Sequence, residues 1–267
     1  MDKFYDTHAH LVYPDFADDL PDVIARARVG GVTTIVAIGT DLASSRATVQ
    51  LAEQFPDVFA VVGWHPNDVT SAPEDLRPML RELAAHPKVV ALGETGLDYH
   101  RLPGSNPTEY QPIKRKQAEI FRQHLEVAAE FGLNCVIHQR DALEDTLAMM
   151  QQFAGRVRGQ FHCFANDAAT MRRVLALGSL VSFTGILTFK NGQNIRDTLA
   201  ATPLDAFMLE TDCPFLAPVP YRGKRCEPAY VKEIAEVAAR VKGCSLEELS
   251  AAAFTTAEKF FPKLKIG

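Results

Sequence analysis

Asp6-Thr7-His8-Ala9-His10-Leu11 follows directly on Lys3-Phe4-Tyr5, which reads as a short apolar strand. The turn after the first strand separates the two common ways of building an α/β protein. An open doubly wound sheet usually carries a glycine-rich phosphate turn there. Here the position holds two histidines one residue apart. On a strand such a pair projects to one side and can reach a single point in space. Imidazole is the commonest protein ligand for first-row transition metals. Read alone, the pair is equally compatible with one histidine packed in a core and the other solvated, so the remaining strands decide.

Outward from this stretch, short apolar runs alternate with amphipathic ones. Strands are predicted at residues 4–8, 33–38, 58–63, 89–92, 135–137, 157–161, 180–183 and 207–209. Helices are predicted at 15–28, 44–55, 74–85, 114–131, 143–153, 168–177, 191–200, 229–241 and 246–261. Glycines close several of them, and Ser245 with Glu248 forms a capping box. Residues 101–112 form a polar connection longer than most here, with four prolines or glycines, and residues 215–228 form a second loop rich in proline and arginine. Eight strand–helix units without a linker predict a single-domain α/β protein over residues 1–267, a closed (β/α)8 TIM barrel, with the open doubly wound sheet as runner-up.

The chain has 267 residues and 47% hydrophobic content, enough for one large core. A net charge of -5 argues against a protein that holds nucleic acid by bulk electrostatics, but leaves room for an enzyme with a local basic rim. Five cysteines without paired spacing predict a reducing, cytoplasmic setting. No leader-like segment precedes the first strand, and no apolar run approaches the ~18 residues of a membrane span. Neither a membrane nor an obligate protein partner is expected, and the chain is read as a monomer.

The histidines and carboxylates are placed non-randomly. His8 and His10 stand at the end of strand one, His65 of strand three, Glu94 of strand four, His138 of strand five, His162 of strand six and Asp212 of strand eight. In a barrel those ends converge on one face, where such folds place their chemistry. His86, His100 and His124 have no such placement; His86 and His124 are read as surface or packing residues. A hydrolytic metal site must hold its ion and keep a position for water. Bound metal lowers the pKa of water from about 15.7 to about 7, and two ions roughly 3.5–4 Å apart can clamp a phosphodiester. Imidazoles with carboxylates suit Zn or Mn better than Ca, with Mg compatible in a watery site.

The motifs resemble the TatD family of metal-dependent deoxyribonucleases, within the amidohydrolase superfamily. The resemblance runs through Asp6-Thr7-His8-Ala9-His10-Leu11, Gly63-Trp64-His65-Pro66, Gly93-Glu94-Thr95-Gly96-Leu97-Asp98-Tyr99, His138-Gln139-Arg140-Asp141-Ala142, His162-Cys163-Phe164 and Leu209-Glu210-Thr211-Asp212-Cys213-Pro214. Each is weak alone; six in order are specific. The resemblance implies two divalent metal ions, one on His8, His10 and Asp212, the other on His138 and His162, with Glu94 bridging. It implies that Asp212 orients or deprotonates the attacking water. His65, without a ligand role in the family pattern, is assigned to phosphate contact or support of the site. Glu210, two residues before Asp212, is expected to orient a ligand histidine.

The implied activity is 3′→5′ exonucleolytic cleavage of DNA, most readily single-stranded, which makes DNA the expected transient partner. Arg140, Arg222 and Arg225, with Lys224, are candidate phosphate contacts, and Tyr99, Phe164 and Tyr221 candidate stacking platforms. The sequence departs from the family pattern at Cys226, where Asn is usual, at Ala165-Asn166, and in the length of the 101–112 connection. These bear on the substrate rather than on metal ligation. A small-molecule or aminoacyl-ester hydrolase using the same site is the alternative, and a metal-stabilised scaffold without turnover is a third reading.

Overall fold

The computed structural model describes residues 3–102 and 106–264. Its eight strands are β1 Phe4–Ala9, β2 Val32–Ile38, β3 Val58–Val62, β4 Val89–Asp98, β5 Asn134–Arg140, β6 Gly159–Phe161, β7 Leu180–Phe183 and β8 Phe207–Leu209. They pair in parallel in sequence order. The helices are α1 Leu20–Val29, α2 Leu42–Gln54, α3 Arg77–Ala84, α4 Pro107–Phe131, α5 Leu143–Gln152, α6 Ala168–Ala176, α7 Gln193–Ala201, α8 Val231–Lys242 and α9 Leu246–Phe260. This is the (β/α)8 barrel that the alternation predicts.

The ring closes between β1 and the end of β8. Asp212 N–H donates to the His8 carbonyl (2.9 Å) and His10 N–H to the Cys213 carbonyl (2.8 Å). Below them, the buried Asp6 carboxylate accepts from both the backbone N–H and the hydroxyl of Thr211. Burial pushes the Asp6 carboxyl up to about 8, against the lowering effect of those two bonds. The seam therefore joins the histidine pair of β1 to Asp212 directly.

Two apolar layers hold the barrel. Along β2 and β3, Val36, Ile38, Phe59 and Val61 point inward, while Ile35, Ala37, Val58 and Ala60 face the helices. This is the period-2 alternation of a strand buried on both faces. Phe260 and Phe261, at the end of α9, pack with Tyr5 and Phe59 and plug the N-terminal end of the barrel. The C-terminal end is left to polar groups. The Ser245–Glu248 capping box that starts α9 is present, at 3.1 and 2.9 Å.

Three boundaries that bear on the site differ from the sequence reading. Strands β4 and β5 run well past 92 and 137, so Glu94 and His138 lie inside them rather than after them. Pairing continues through Gly96↔His138 and Asp98↔Arg140. Gly93 and Gly96 allow this: their φ angles are +137° and +139°. A Cβ would stand 2.5 Å from the Val136 carbonyl oxygen at Gly93 and 2.1 Å from that of His138 at Gly96. Glycine here signals close strand approach rather than the end of a strand. Helix α4 begins at Pro107, not at 114. Asn106 caps it by accepting from Glu109 N–H (3.2 Å), and both Pro107 and Pro112 fall in its first two turns. The second half of the predicted 101–112 loop, from Pro107 on, is thus helix; residues 103–105 of it lie outside the described residues.

His124 illustrates what a packing histidine does here. It is buried in α4, its Nδ1 2.7 Å from the Ile120 carbonyl and its Nε2 accepting from Trp64 N–H at 3.0 Å. It therefore ties α4 to the loop carrying His65. Burial pushes its pKa down to about 4, only partly opposed by the Ile120 carbonyl. The unfolded chain would bind a proton here near pH 6.5, whereas the folded chain resists it until about pH 4. Stability linked to His124 is therefore complete above pH 6.5 and falls as pH drops, by about 3 kcal/mol in all at about 1.4 kcal/mol per pKa unit. Denaturant titrations at pH 7 and pH 4.5 should show a smaller pH-dependent loss for His124→Gln than for the parent; equal losses would contradict it.

Candidate metal centre

At the C-terminal end of the barrel, six side chains from five strands converge. His8 Nε2 and His10 Nε2 lie 3.2 Å apart, as expected for an HxH pair facing one way. Asp212 Oδ1 stands 3.6 and 3.3 Å from them, and Glu94 Oε2 3.4 and 3.7 Å. A tetrahedron with corners ~2.0–2.1 Å from its centre has edges of about 3.3–3.4 Å. His8, His10 and Asp212 thus have the spacing of one three-ligand group, which Glu94 Oε2 approaches from the side of the two histidines.

The other oxygen of Glu94 faces a second group. Oε1 lies 2.9 Å from His138 Nδ1 and 2.7 Å from His162 Nε2, which are 3.3 Å from each other. Glu94 is buried, and its two oxygens address the two groups separately. Burial raises its pKa, but His162, His65 and His138 outweigh that and hold it well below the usual carboxylate range. Asp212 is likewise held below its ordinary value, with burial opposed by His10 and His8. The donor set fits divalent cations. Buried imidazole lone pairs facing carboxylates at these separations repel one another unless positive charge stands among them.

For His138 a hydrogen bond beside the cluster decides which nitrogen faces the other groups. The buried Asp98 carboxylate lies 3.1 Å from His138 Nε2, so that nitrogen carries the proton and the Nδ1 lone pair is left facing Glu94 and His162. Asp98 is itself fixed by N–H groups of His100 (2.9 Å) and Arg101 (3.2 Å) and by the Asn67 amide (3.2 Å). Burial raises the Asp98 carboxyl, but His138 and those N–H groups carry it below the ordinary range. The sequence reading assigned Asp98 no role. Its parity with Glu94, four residues earlier on the same strand, was an available signal.

His65 shows the converse. Its Nδ1 accepts from Asn67 N–H (3.1 Å), so in the neutral ring Nε2 carries the proton that points at Glu94 Oε1, 3.4 Å away. That geometry points the His65 N–H at Glu94, although His65, Glu94 and His138 also lie close enough together to form a candidate metal group.

Glu210 lies under the cluster, fully buried. Its carboxylate accepts from Ser182 Oγ (2.7 Å), Gln160 Nε2 (2.8 Å) and Cys163 N–H (2.6 Å). Its Oε1 is 3.7 Å from His162 Nδ1. It fixes the β6 turn that carries His162.

The sequence over residues 5–262 matches the family described as TatD related DNase. The chain belongs to the TatD family. It is 38% identical to the uncharacterized metal-dependent hydrolase YabD of Bacillus subtilis, over 96% of this chain and 98% of that one. It is 32% identical to the 3'-5' ssDNA/RNA exonuclease TatD of Citrobacter rodentium, over 96% and 97% of the two chains. Among solved structures, YJJV, a TatD homolog from Escherichia coli, has a TM-score of 0.87 at 23% identity, covering 97% of this chain and 98% of that one, and so bears on the fold alone. Like its TatD-family relatives, the chain is a metal-dependent hydrolase.

In this TatD-family protein the cluster opens into a cleft of about 720 Å³. Arg140 lines it, as the sequence suggested, and so does Arg101, which was not singled out. Arg222 and Arg225 do not line it. Arg225 donates to Asp19 (2.8 Å) and Glu227 (2.9 Å), both also bonded by Arg26, in a network that ties the strand-eight loop to α1. Arg222 lies 3.7 Å over the Phe189 ring. Of the aromatic candidates, Phe164 is 5% exposed in the core and Tyr221 stacks on Tyr230. Tyr99 donates to Asp145 and is covered by Lys114. Cys226, at the departure from the family pattern, is fully buried.

Proposed function

We propose that the protein is a dinuclear exonuclease that removes nucleotides from the 3′ end of single-stranded DNA. The observation that carries this reading is Glu94, with one oxygen toward His8, His10 and Asp212 and the other toward His138 and His162. In this reading those six side chains are the metal ligands. When bound, the two ions, Zn, Mn or Mg, would supply a water of lowered pKa and positive charge for the phosphate oxygens. Asp212, ionised and at the mouth of the site, orients that water and accepts its proton. His65 N–H steadies Glu94. Arg101 and Arg140 attract the phosphates of the strand. The naming of the Citrobacter relative supports a nucleic-acid substrate. A cleft lined by two arginines without side-chain partners among the described residues favours a phosphodiester over the small esters of the alternative reading.

The test is release of mononucleotides from single-stranded DNA labelled at either end, with Mg, Mn or Zn. Metal-dependent loss of the 3′ label first is expected. No release from protein shown to hold metal would overturn the reading.

A further inference from the structure

The cleft has two chemically different ends, which the metal cluster alone does not require. In an eight-stranded ring the β1–β8 seam lies opposite β4 and β5. On the seam side, Tyr13 stacks on the His10 ring, with centroids 4.7 Å apart and 21° between planes. Phe215 stands edge-on to both, at 6.3 and 6.2 Å. Both line the cleft. Phe215 is 52% exposed; the other exposed large apolar side chains among the described residues, Val29 and Val219, are not in the cleft. On the opposite side, Arg101 and Arg140 are exposed, and neither has a side-chain partner among the described residues.

The exposure of Phe215 does not come from a slack loop. Its N–H donates to the Asp212 carbonyl (3.0 Å), and Cys226 N–H donates to the Pro214 carbonyl (3.0 Å). The Leu216 carbonyl sits where a side chain at Gly185 would begin. A ring held rigidly in water beside a hydrolytic centre is a preformed platform for a flat apolar group. Unpaired arginines at the far rim suit a chain that carries one negative charge per residue and must leave the site.

We infer that the cleft is read lengthwise: the base of the terminal nucleotide stacks on the exposed Phe215 ring, with its edge toward Tyr13, and the phosphates of the remaining strand cross Arg140 and Arg101. The scissile phosphate then lies between them, at the cluster. This rests on the exonuclease reading for its direction, but the aromatic platform can be tested without hydrolysis.

Two measurements separate the claims. Calorimetry on the Mn-loaded protein compares dTMP with 2-deoxyribose 5-phosphate. The parent should bind dTMP about 5- to 150-fold more tightly, as stacking on an aromatic provides, and Phe215→Ala should bring the ratio close to one. Equal binding of the two by the parent, or an unchanged ratio in Phe215→Ala, overturns the platform whether or not DNA is cut. Hydrolysis is then compared for oligonucleotides abasic at the terminal or the penultimate position. A drop in kcat/KM confined to the terminal position, and lost in Phe215→Ala, supports the direction. A drop confined to the penultimate position reverses it and overturns the assignment. Arg140→Gln should slow a 12-mer more than a dinucleotide; equal slowing overturns the role of the cationic wall. A preference for dTMP without any DNA cleavage would retain the platform and reject the nuclease.

Discussion

Replacing Asp212 with Asn is expected to reduce hydrolysis by about 10³-fold or more while leaving the barrel folded. The change is isosteric but removes the charge, and with it the capacity to accept a proton from the attacking water. Positioned acid–base groups contribute roughly 10²–10⁴-fold, and loss of an anionic ligand beside His8 and His10 adds to that. The fold should survive for a local reason. Asp212 has a φ of +56°, a conformation that Asn adopts nearly as readily as Asp. Its structural contact at the seam is a backbone N–H to the His8 carbonyl, which the substitution keeps. Single-turnover rates on single-stranded DNA and melting of the metal-free protein check both halves. Turnover within tenfold of the parent would show that Asp212 does not handle the water.

Replacing Glu94 with Ala should lower metal content from about two ions per chain toward one or none. Glu94 is the carboxylate whose two oxygens reach both ligand groups. Without it, His8, His10 and Asp212 still form a three-ligand group, but His138 and His162 are left as a pair. A pair of imidazoles leaves most coordination positions to water, so the ion on that side should be lost first. The loss also removes the negative charge that offsets repulsion between two cations a few ångströms apart. Elemental analysis of protein loaded and then desalted reads this directly. Two ions retained in the variant would remove the bridging role. Glu94→Gln, which keeps an oxygen of similar reach but no charge, should lie between the two.

Much of this was legible in the linear chain. The alternation of β-branched runs with helical periodicity determined a barrel, because strand and helix periods are local properties. The ligand types were legible for a related reason: in parallel strands of one sheet, all C-terminal ends come to one face, so His and carboxylate residues at those ends must meet. What failed was of another kind. Residues 93–98 read as a loop after a strand, because glycine ends strands more often than it tightens them. Pro107 and Pro112 read as loop, although the first two turns of α4 hold both.

Only the tertiary structure decided how each group is used. It turned Nδ1 of His138 toward Glu94 because Asp98 holds Nε2, and made His65 a donor because Asn67 N–H holds its Nδ1. It withdrew Arg225 from the cleft through Asp19, more than 200 residues away in sequence, and placed Arg101 and Arg140 along it. It buried Phe164 and held Phe215 in water. Residue type and period travel with the sequence, whereas protonation, pairing and exposure depend on neighbours that long-range folding brings. The sequence by itself determined a barrel with a candidate metal-binding face; the tertiary structure decided which atoms of that face meet and which side of the cleft is aromatic or cationic.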